Sequence, residues 1–353
     1  SLADSASVSV PIGAGGSPGT VAKAGAVQGG ETTQDFAPPS QALPGSASLD
    51  LAVTPTLASG AQRGLVFLAG YPYDCAEQTI SGFLPAILAK EAYAKAGLPA
   101  AQKGLPSDLD ARVAAALQRV STLQHPDGGW NWWSYDQTDP YLTAYVVYGL
   151  AQAKRLGYPV VDASLQRGIA SVQAQLSSPA AGLATRAYML RVLASVGHPD
   201  TAKVRALMSQ TGQMASYGKA DLALALQIGG DSTSATSLLA QLGAEATQTD
   251  TGAIWREKLA PADLPPLRGS DAYSTAAALD AYATIAPSDP IAIKAARSLL
   301  AARLGDGWDT THDSAMAVMA LNHFLLAHGD LAANQHYQIC LLYTSPSPRD
   351  RQK

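Results

Sequence analysis

The feature that most constrains the fold is a run of short helical segments that fills the chain from about residue 60 onward. Segments such as DLDARVAAALQRVSTLQ and DPIAIKAARSLLAARLG place apolar residues three and four positions apart, which is the spacing of one helix face. Each segment ends at Gly, Pro, Asp or Ser. Roughly a dozen such helices in succession, joined by short loops, predict pairs of helices stacked side by side.

Two junctions between these segments share a Gly–Trp corner. PDGGW at 126–130 and GDGW at 305–308 each place Gly shortly before Trp and ahead of another helix, and Gln124 extends the first to Q-x-x-x-G-x-W. Helical hairpins with such corners resemble the α/α toroid, a barrel with an inner and an outer ring of helices. We interpret each Trp as a plug that packs on helix ends rather than as a substrate contact.

The beginning of the chain has a different composition. Residues 1–47 are dominated by Ser, Gly, Ala, Pro and Thr, which is typical of loops, strands or a linker. SLDLAVTPT at 48–56 alternates Leu49, Leu51 and Val53 with polar neighbours and predicts a half-buried strand. We expect a mainly α chain, with a partial β module and linker over 1–58 and an α/α toroid over 59–337.

The end of the chain reads CLLYTSPSPRDRQK from residue 340 and has no hydrophobic period. It resembles the translation of a sequencing adapter, so we expect 340–353 not to be natural sequence; a Ser- and Pro-rich disordered tail is the alternative. The tail holds three of the 24 basic and one of the 28 acidic residues. The remainder is mildly acidic without a charged cluster, which argues against nucleic acid as a partner. We further expect an internal fragment of a longer protein, because the chain lacks an initiator Met and a signal peptide.

Without the tail, Cys75 in YPYDCAEQT is the only cysteine. A lone cysteine can be a buried structural thiol, half of a disulfide, or a thiol-protease nucleophile. The disulfide lacks a natural partner in this chain. The protease would need a histidine, and six candidates occur in no recognisable signature: His125, His198, His312, His323, His328 and His336.

The local pattern favours a reactive site. Asp74 is a good N-cap and Glu77 follows three residues later, so Cys75 is predicted in the first helical turn, where unpaired N–H groups stabilise a thiolate. Gln78 is one turn along on the same face. A thiolate held against this amide can displace ammonia and form an internal thioester, which would protect a solitary cysteine in an oxidising compartment.

The motif C-A-E-Q, preceded by Y-P-Y and followed by T-x-S, resembles the thioester signature of bacterial alpha-2-macroglobulins, which are relatives of the complement thioester proteins. The resemblance extends to PDGGW, to WSYDQTDPYLTAYVVYGL, to GDGWDTTHDSAMAVMAL and to SLDLAVTPT. It covers about residues 48 to 335, and His312 stands where the family pattern has Gln. Residues 1–58 would then be the first part of the CUB-like domain that flanks the thioester domain.

The resemblance implies a broad-spectrum protease trap that works once and is not an enzyme. A lysine amine of the attacking protease would open the Cys75–Gln78 thioester, with no cofactor and no metal. It implies an exported protein of the periplasm or cell envelope with a defensive role, and it leaves a membrane anchor of the parent open. It also implies supporting motif positions and aromatic residues that could shield the ester from water: Tyr71, Pro72, Tyr73, Asp74 and Glu77 in the motif, and Trp130, Trp132, Trp133, Tyr135 and Tyr141 as shield.

Three details bear on this reading. The segment QAQLSSPAAGLATRAY, where hydroxyl-preferring complement relatives carry a histidine, has none, which points to direct attack by amines. His125 is interpreted as structural. Glu77 is interpreted as a cap and positioning group rather than a general base.

Two alternatives remain. One is an inert helical scaffold with the same fold, which would be expected to lack Cys75 or Gln78. The other is a toroid enzyme, since Q-x-x-x-G-x-W also occurs in terpene cyclases. SDLDAR at 107–112 is a poor match to their acidic motif, and a prenyltransferase-type zinc site would need metal-ligand spacing that is absent.

Overall fold

The computed structural model describes residues 61–72, 74–95, 97, 104–257, 267–328 and 338–340, with scattered positions between 19 and 53. Twelve α-helices lie within these residues, as the periodicity predicts. They are α1 (Gln62–Ala69), α2 (Ala76–Lys95), α3 (Leu109–Thr122), α4 (Pro140–Arg155), α5 (Asp162–Gln175), α6 (Leu183–Ser195), α7 (Thr201–Met208), α8 (Ser216–Ile228), α9 (Ser232–Ala244), α10 (Asp271–Ile285), α11 (Pro290–Ala301) and α12 (Thr311–His328).

Several helix starts have the expected caps. Asp139, Asp200, Asp231 and Asp289 each accept a hydrogen bond from a backbone N–H in the first turn that follows, and Ser270 does the same for α10. These bonds satisfy donors that a helix start leaves free. The Asp and Ser punctuation of the sequence therefore sets where these helices begin.

The even-numbered helices form a closed inner ring. α2 packs against α4, α4 against α6, and so on through α8, α10 and α12, which packs back against α2. The odd-numbered helices lie outside them, with α3 on α2, α5 on α4, α9 on α8 and α11 on α10. Burial follows this division: eleven of the thirteen residues of α8 are buried, against six of the fourteen of α5. The fold is the predicted α/α toroid.

Because short loops join successive helices, neighbours in the chain run antiparallel and the six inner helices are parallel. Their N-termini therefore meet at one end of the ring, which we call the mouth. The longer connections before α4 and α10 lie at this end. The second includes an antiparallel hairpin of β1 (Thr247–Gln248) and β2 (Ala253–Ile254).

Both predicted Trp corners are confirmed as helix-end plugs. The Trp130 indole is fully buried and its Nε1 donates to the Val120 carbonyl at 2.9 Å, while Trp308 Nε1 donates to the Leu299 carbonyl at 2.8 Å. Each indole thereby donates to a carbonyl in the last turn of the preceding outer helix. Trp255 forms a third such corner, which the sequence analysis missed.

Gly168 shows how tightly the first corner packs. A Cβ at this position would lie 2.7 Å from Cζ3 of Trp130 and 2.8 Å from Cγ2 of Val147. We expect Gly168→Ala to lower the free energy of unfolding by about 1–2 kcal/mol, because overpacking outweighs the better helix propensity of Ala. Gly82→Ala is the matched control: its nearest neighbour would be the Leu68 carbonyl oxygen at 3.7 Å, and it should be neutral or stabilising. Equal effects in urea unfolding would contradict the packing argument.

The predicted β module falls largely outside the described residues. Of the strand expected over 48–56, the structure describes Ser48, Leu49, Leu51 and Val53, which are exposed and not in a strand. The half-buried pattern expected of the three apolar residues is therefore not found. The tail from 341 onward also lies outside the described residues, and Cys340 is exposed with a free thiol.

Candidate functional site: the start of helix α2 at the ring mouth

Cys75 occupies the N-terminal end of α2 at the mouth. Its side chain is 3% exposed, and its carbonyl accepts the backbone N–H of Thr79 at 2.9 Å, which is the first hydrogen bond of the helix. Cys75 is thus the N-cap residue, and the prediction that Asp74 caps this helix is wrong. The Asp74 side chain is exposed and pairs instead with Arg119 of α3, at 3.2 Å between Oδ2 and Nε.

Gln78 lies one turn along and is half-buried. Its backbone N–H, together with that of Glu77, is directed at the Cys75 sulfur and favours a thiolate. Burial of the thiol raises its pKa by more than these two bonds lower it, and the negative charge of Glu77 raises it further. The pKa of Cys75 is therefore about 11. The expected activation of the thiol by the helix start is therefore present but outweighed.

Glu77 points into the ring rather than back to the helix start. It is 1% exposed, and its carboxylate accepts hydrogen bonds from Ser81 Oγ at 2.5 Å and Thr311 Oγ1 at 2.9 Å. The carboxylate oxygens of Glu77 are thus engaged by Ser81 of α2 and Thr311 of α12. The prediction that Glu77 caps the helix start is therefore wrong. The nearest ring nitrogen, Nδ1 of His312, is 3.7 Å from Oε1.

His312 belongs to a chain of buried polar groups across the mouth. Its Nε2 is 2.6 Å from the Tyr141 hydroxyl, which is 3.0 Å from that of Tyr273. Arg268 stacks on the Tyr141 ring, with 4.0 Å from its Cζ to the ring centroid. These side chains come from the first turns of α4, α10 and α12 and from the segment before α10. Sequence analysis placed none of them together, because Tyr141, His312 and the Arg268–Tyr273 stretch lie far apart in the chain.

The proposed shield residues lie in different environments. Trp132 is half-buried, and its carbonyl accepts the Ala76 N–H at 3.1 Å, so its loop abuts the start of α2. Trp133 is half-buried, and its carbonyl contacts Nε2 of His125. Trp130 plugs its corner and Tyr141 lies inside the ring. Tyr135 is 80% exposed, so a shielding role for it is wrong in this structure.

The remaining motif residues precede Asp74 in the chain. Tyr71 and Pro72 are exposed, and the Tyr71 ring packs edge-on against Phe67 at 5.8 Å between centroids. Tyr73 lies outside the described residues. His125 is buried, with Nδ1 2.8 Å from Thr138 Oγ1, which agrees with its predicted structural role.

A second polar cluster, which we call the axial ion cluster, lies deeper in the ring. Arg191 bonds Asp221 at 2.9 Å and Asp280 at 2.5 Å, and Asp280 also accepts from His323. Burial opposes ionisation of Asp280, but Arg191 and His323 outweigh it and hold its pKa below the usual range. Burial raises the pKa of Asp221 to about 6. Charged residues inside otherwise apolar helices are the one sequence signal for this cluster.

The described residues contain no group of three or more His, Cys, Asp or Glu side chains arranged to hold a metal ion. None of the described helices has both the length and the apolar character needed to cross a membrane.

Comparison with known proteins identifies this architecture. Residues 50–177 match the model of the A-macroglobulin TED domain, the thioester domain. The chain is 37% identical to alpha-2-macroglobulin of Thermotoga maritima over 102 residues, and 28% identical to that of Escherichia coli over 206 residues. Over the matched residues the chain is similar to the bacterial alpha-2-macroglobulins. These alignments cover 29% and 53% of this chain but only 6% and 12% of the two relatives.

Solved structures agree on the fold of this thioester domain. Native Escherichia coli alpha-2-macroglobulin, from domain MG7 to the C-terminus, superposes with a TM-score of 0.62 at 22% identity, over 74% of this chain and 42% of that one. A Salmonella alpha-2-macroglobulin reacted with methylamine superposes with a TM-score of 0.55 at 23% identity. The match covers 78% of this chain and 18% of that one. Other similar structures are of the Escherichia coli protein activated by trypsin or by porcine elastase.

Proposed function

We propose that this chain is a fragment of a broad-spectrum protease inhibitor whose Cys75–Gln78 thioester captures the attacking protease. The observation that carries the proposal is the buried Cys75 at the start of α2, three residues before Gln78, with the Gln78 N–H directed at its sulfur. The sulfur attacks the Gln78 amide carbon, the C–N bond breaks and ammonia leaves. Later a lysine amine of the protease attacks the same carbon, the C–S bond breaks, and the sulfur takes up a proton.

Stored reactivity requires that water be kept from the ester until a trigger acts. Burial of Cys75 and the contact of its helix start with the Trp132 loop serve this purpose. Gln78 is only half-buried, so its acyl carbon lies near the surface from which an amine would come. The inhibitor is stoichiometric, since each domain carries one ester and loses it on capture.

The relatives support the same chemistry and trigger. A Salmonella relative has been reacted with methylamine, and an Escherichia coli relative has been activated by trypsin and by elastase. We extend this to the parent protein: an exported inhibitor of the periplasm or cell envelope, with the toroid over 59–337, part of a β module over 1–58 and an adapter-encoded end at 340–353.

The structure offers little support for the toroid-enzyme alternative. A terpene cyclase or prenyltransferase holds its substrate inside the ring, whereas here the cavity beside the axial ion cluster measures about 10 Å³. That volume is close to the minimum for one water molecule. An inert scaffold keeps the fold without the ester, and the mass measurement below separates it from a trap.

Intact mass before and after methylamine tests the proposal on the chain with Cys340→Ala, which removes the second thiol. We expect a mass short by one ammonia, then the gain of one methylamine at Gln78 together with one free thiol at Cys75. Cys75→Ala and Gln78→Glu should show neither change, because the first lacks the nucleophile and the second lacks the amide nitrogen. A full mass with a free thiol at the outset, both here and in the full-length parent, would contradict a trap and favour the inert scaffold.

A further inference from the structure

A short loop joins the first Gly–Trp corner to α4 and lies against the start of α2. It comprises residues 131–138, and we call it the Trp132 loop. The Asn131 side chain crosses the loop and donates to the Gln137 carbonyl at 2.6 Å. The loop therefore has a defined shape of its own, as compact surface loops do.

The Trp132 loop meets α2 at the residue next to Cys75. The Trp132 carbonyl accepts the Ala76 N–H at 3.1 Å. Ala76 is the first residue of α2, and the first N–H groups of a helix have no partner within the helix. The loop supplies that partner from outside, and both Cys75 and Ala76 are buried. Movement of the loop would uncover the start of the helix that carries the proposed ester.

His125 bonds both limbs of the Trp132 loop. It precedes the corner and is 6% exposed. Its Nε2 donates to the Trp133 carbonyl at 3.0 Å on the first limb, and its Nδ1 lies 2.8 Å from Thr138 Oγ1 on the second. Thr138 Oγ1 in turn donates to Asp127 Oδ1 at 2.9 Å. Within the part of the chain that the structure describes, the other hydrogen bond from the loop to the domain is the one to α2.

These bonds carry weight because the loop has little other support. Tyr135 at its tip is 80% exposed, and Trp132 and Trp133 are only half-buried. A segment with few buried apolar contacts opens locally at low cost in free energy unless its hydrogen bonds oppose opening. Since His125 reaches both limbs, its removal would release them together.

We infer that His125 is a positioning residue that holds the Trp132 loop against the start of α2 and so limits the access of water and amines to the ester. The inference rests on the proposed function and assigns part of the cover of the ester to this domain itself. With the loop closed, the Ala76 N–H is bonded and the helix start is covered. With the loop open, that N–H faces solvent and the ester can be approached from the mouth. His125 acts through the loop rather than on the reacting atoms.

Hydrogen exchange of the Ala76 amide tests the position of the loop, whether or not the ester is present. The protein is the Cys340→Ala chain, and exchange is followed at single-residue resolution. His125→Ala should speed exchange at Ala76 by about 5- to 30-fold, because two buried hydrogen bonds that oppose opening are lost. The Thr79 amide, which bonds the Cys75 carbonyl within the helix, should keep its wild-type rate.

Three further variants separate the loop contact from general stability. His125→Gln keeps a donor within reach of the Trp133 carbonyl and should restore part of the protection. Thr138→Val removes the hydroxyl at nearly constant shape and should speed Ala76 exchange by about 2- to 5-fold. His198→Ala is the matched control, because His198 is exposed in the turn after α6, and it should leave Ala76 exchange unchanged.

Unchanged Ala76 exchange in a folded His125→Ala protein would overturn the inference. An equal increase at Ala76 and at Thr79 would overturn it as well, since that result would show general loosening of the domain rather than release of the loop. Melting temperatures report which variants are folded. If His125→Ala does not fold, the same comparison of the two amides in Thr138→Val decides the question.

Methylamine links the loop to the ester. Where the wild type carries the ester, His125→Ala should consume methylamine about 5- to 30-fold faster, and His198→Ala at the wild-type rate. Faster Ala76 exchange with an unchanged methylamine rate would overturn the gating role. Absence of the ester from the wild type would count against the proposed function instead. Alkylation of Cys75 by iodoacetamide then takes the place of methylamine, and equal rates in wild type and His125→Ala would overturn the inference.

Discussion

Replacing Arg191 by methionine is expected to lower the free energy of unfolding by about 3–5 kcal/mol, measured by urea unfolding at pH 7. Arg191 is the cation of the axial ion cluster, and its side chain is 11% exposed, with Asp221 and Asp280 at 2% and 7%. Without it, two carboxylates remain inside the ring with only His323 bonded to Asp280. The cost arises from leaving buried charge uncompensated, and it exceeds what the ion pairs themselves contribute.

Arg155→Met provides the comparison at the surface. Arg155 also makes two bonds to a carboxylate, both at 2.7 Å to Glu91, but its side chain is 47% exposed. We expect a loss below about 1 kcal/mol there, because solvent replaces the interaction. The triple variant Arg191→Met, Asp221→Leu and Asp280→Leu should be more stable than Arg191→Met alone. A loss of less than about 1 kcal/mol for Arg191→Met would contradict the account.

Trp255→Ala is expected to lower the free energy of unfolding by about 3–5 kcal/mol. The indole is fully buried beside the Tyr282 ring of α10, at 6.1 Å between centroids, and its Nε1 donates to the Leu242 carbonyl at 2.7 Å. Its backbone N–H is also held, by Thr275 Oγ1 at 3.3 Å. Truncation would open a large cavity at the corner and remove one of the two donors to the Leu242 carbonyl, which also accepts the Glu245 N–H at 3.1 Å.

Trp255→Phe separates the packing of the ring from the hydrogen bond of its Nε1. Phe keeps most of the packing but has no donor, so we expect the free energy of unfolding to fall by about 1–3 kcal/mol. Trp133→Ala is the control, because that side chain is half-buried in the loop before α4 and should cost less than Trp255→Ala. Thermal and urea unfolding of the three variants would measure the order, and a Trp133→Ala loss as large as that of Trp255→Ala would contradict the corner-plug role.

The helices and the family resemblance could be predicted from local signals. Apolar spacing identified the twelve helices of the described residues, because burial of one face leaves its period in the sequence. PDGGW and GDGW identified two corners, since a Gly–Trp pair serves both the turn and the plug. Trp255 was missed because G-A-I-W places the Trp three residues after the Gly, which is a weaker form of the same pattern.

The cap at the start of α2 could not be predicted in the same way. Asp74 and Glu77 have the spacing of a capping box, and in an isolated helix they would favour that arrangement. In the folded ring, Asp74 pairs with Arg119, which lies 45 positions further along the chain. Glu77 accepts a hydrogen bond from Thr311, which lies 234 positions further along. Long-range partners therefore decided a competition that local propensity cannot resolve.

Local patterns along the chain specify the helical pairing, the toroid class, the family resemblance and the Cys75–Gln78 spacing, because each depends on residues close together in the chain. The surroundings of that pair depend instead on how the ring closes. Closing the inner ring brings α12 against α2 and places His312 and Thr311 beside Glu77. The physical reason is that burial and charge depend on every neighbour in space, and here those neighbours come from opposite ends of the domain.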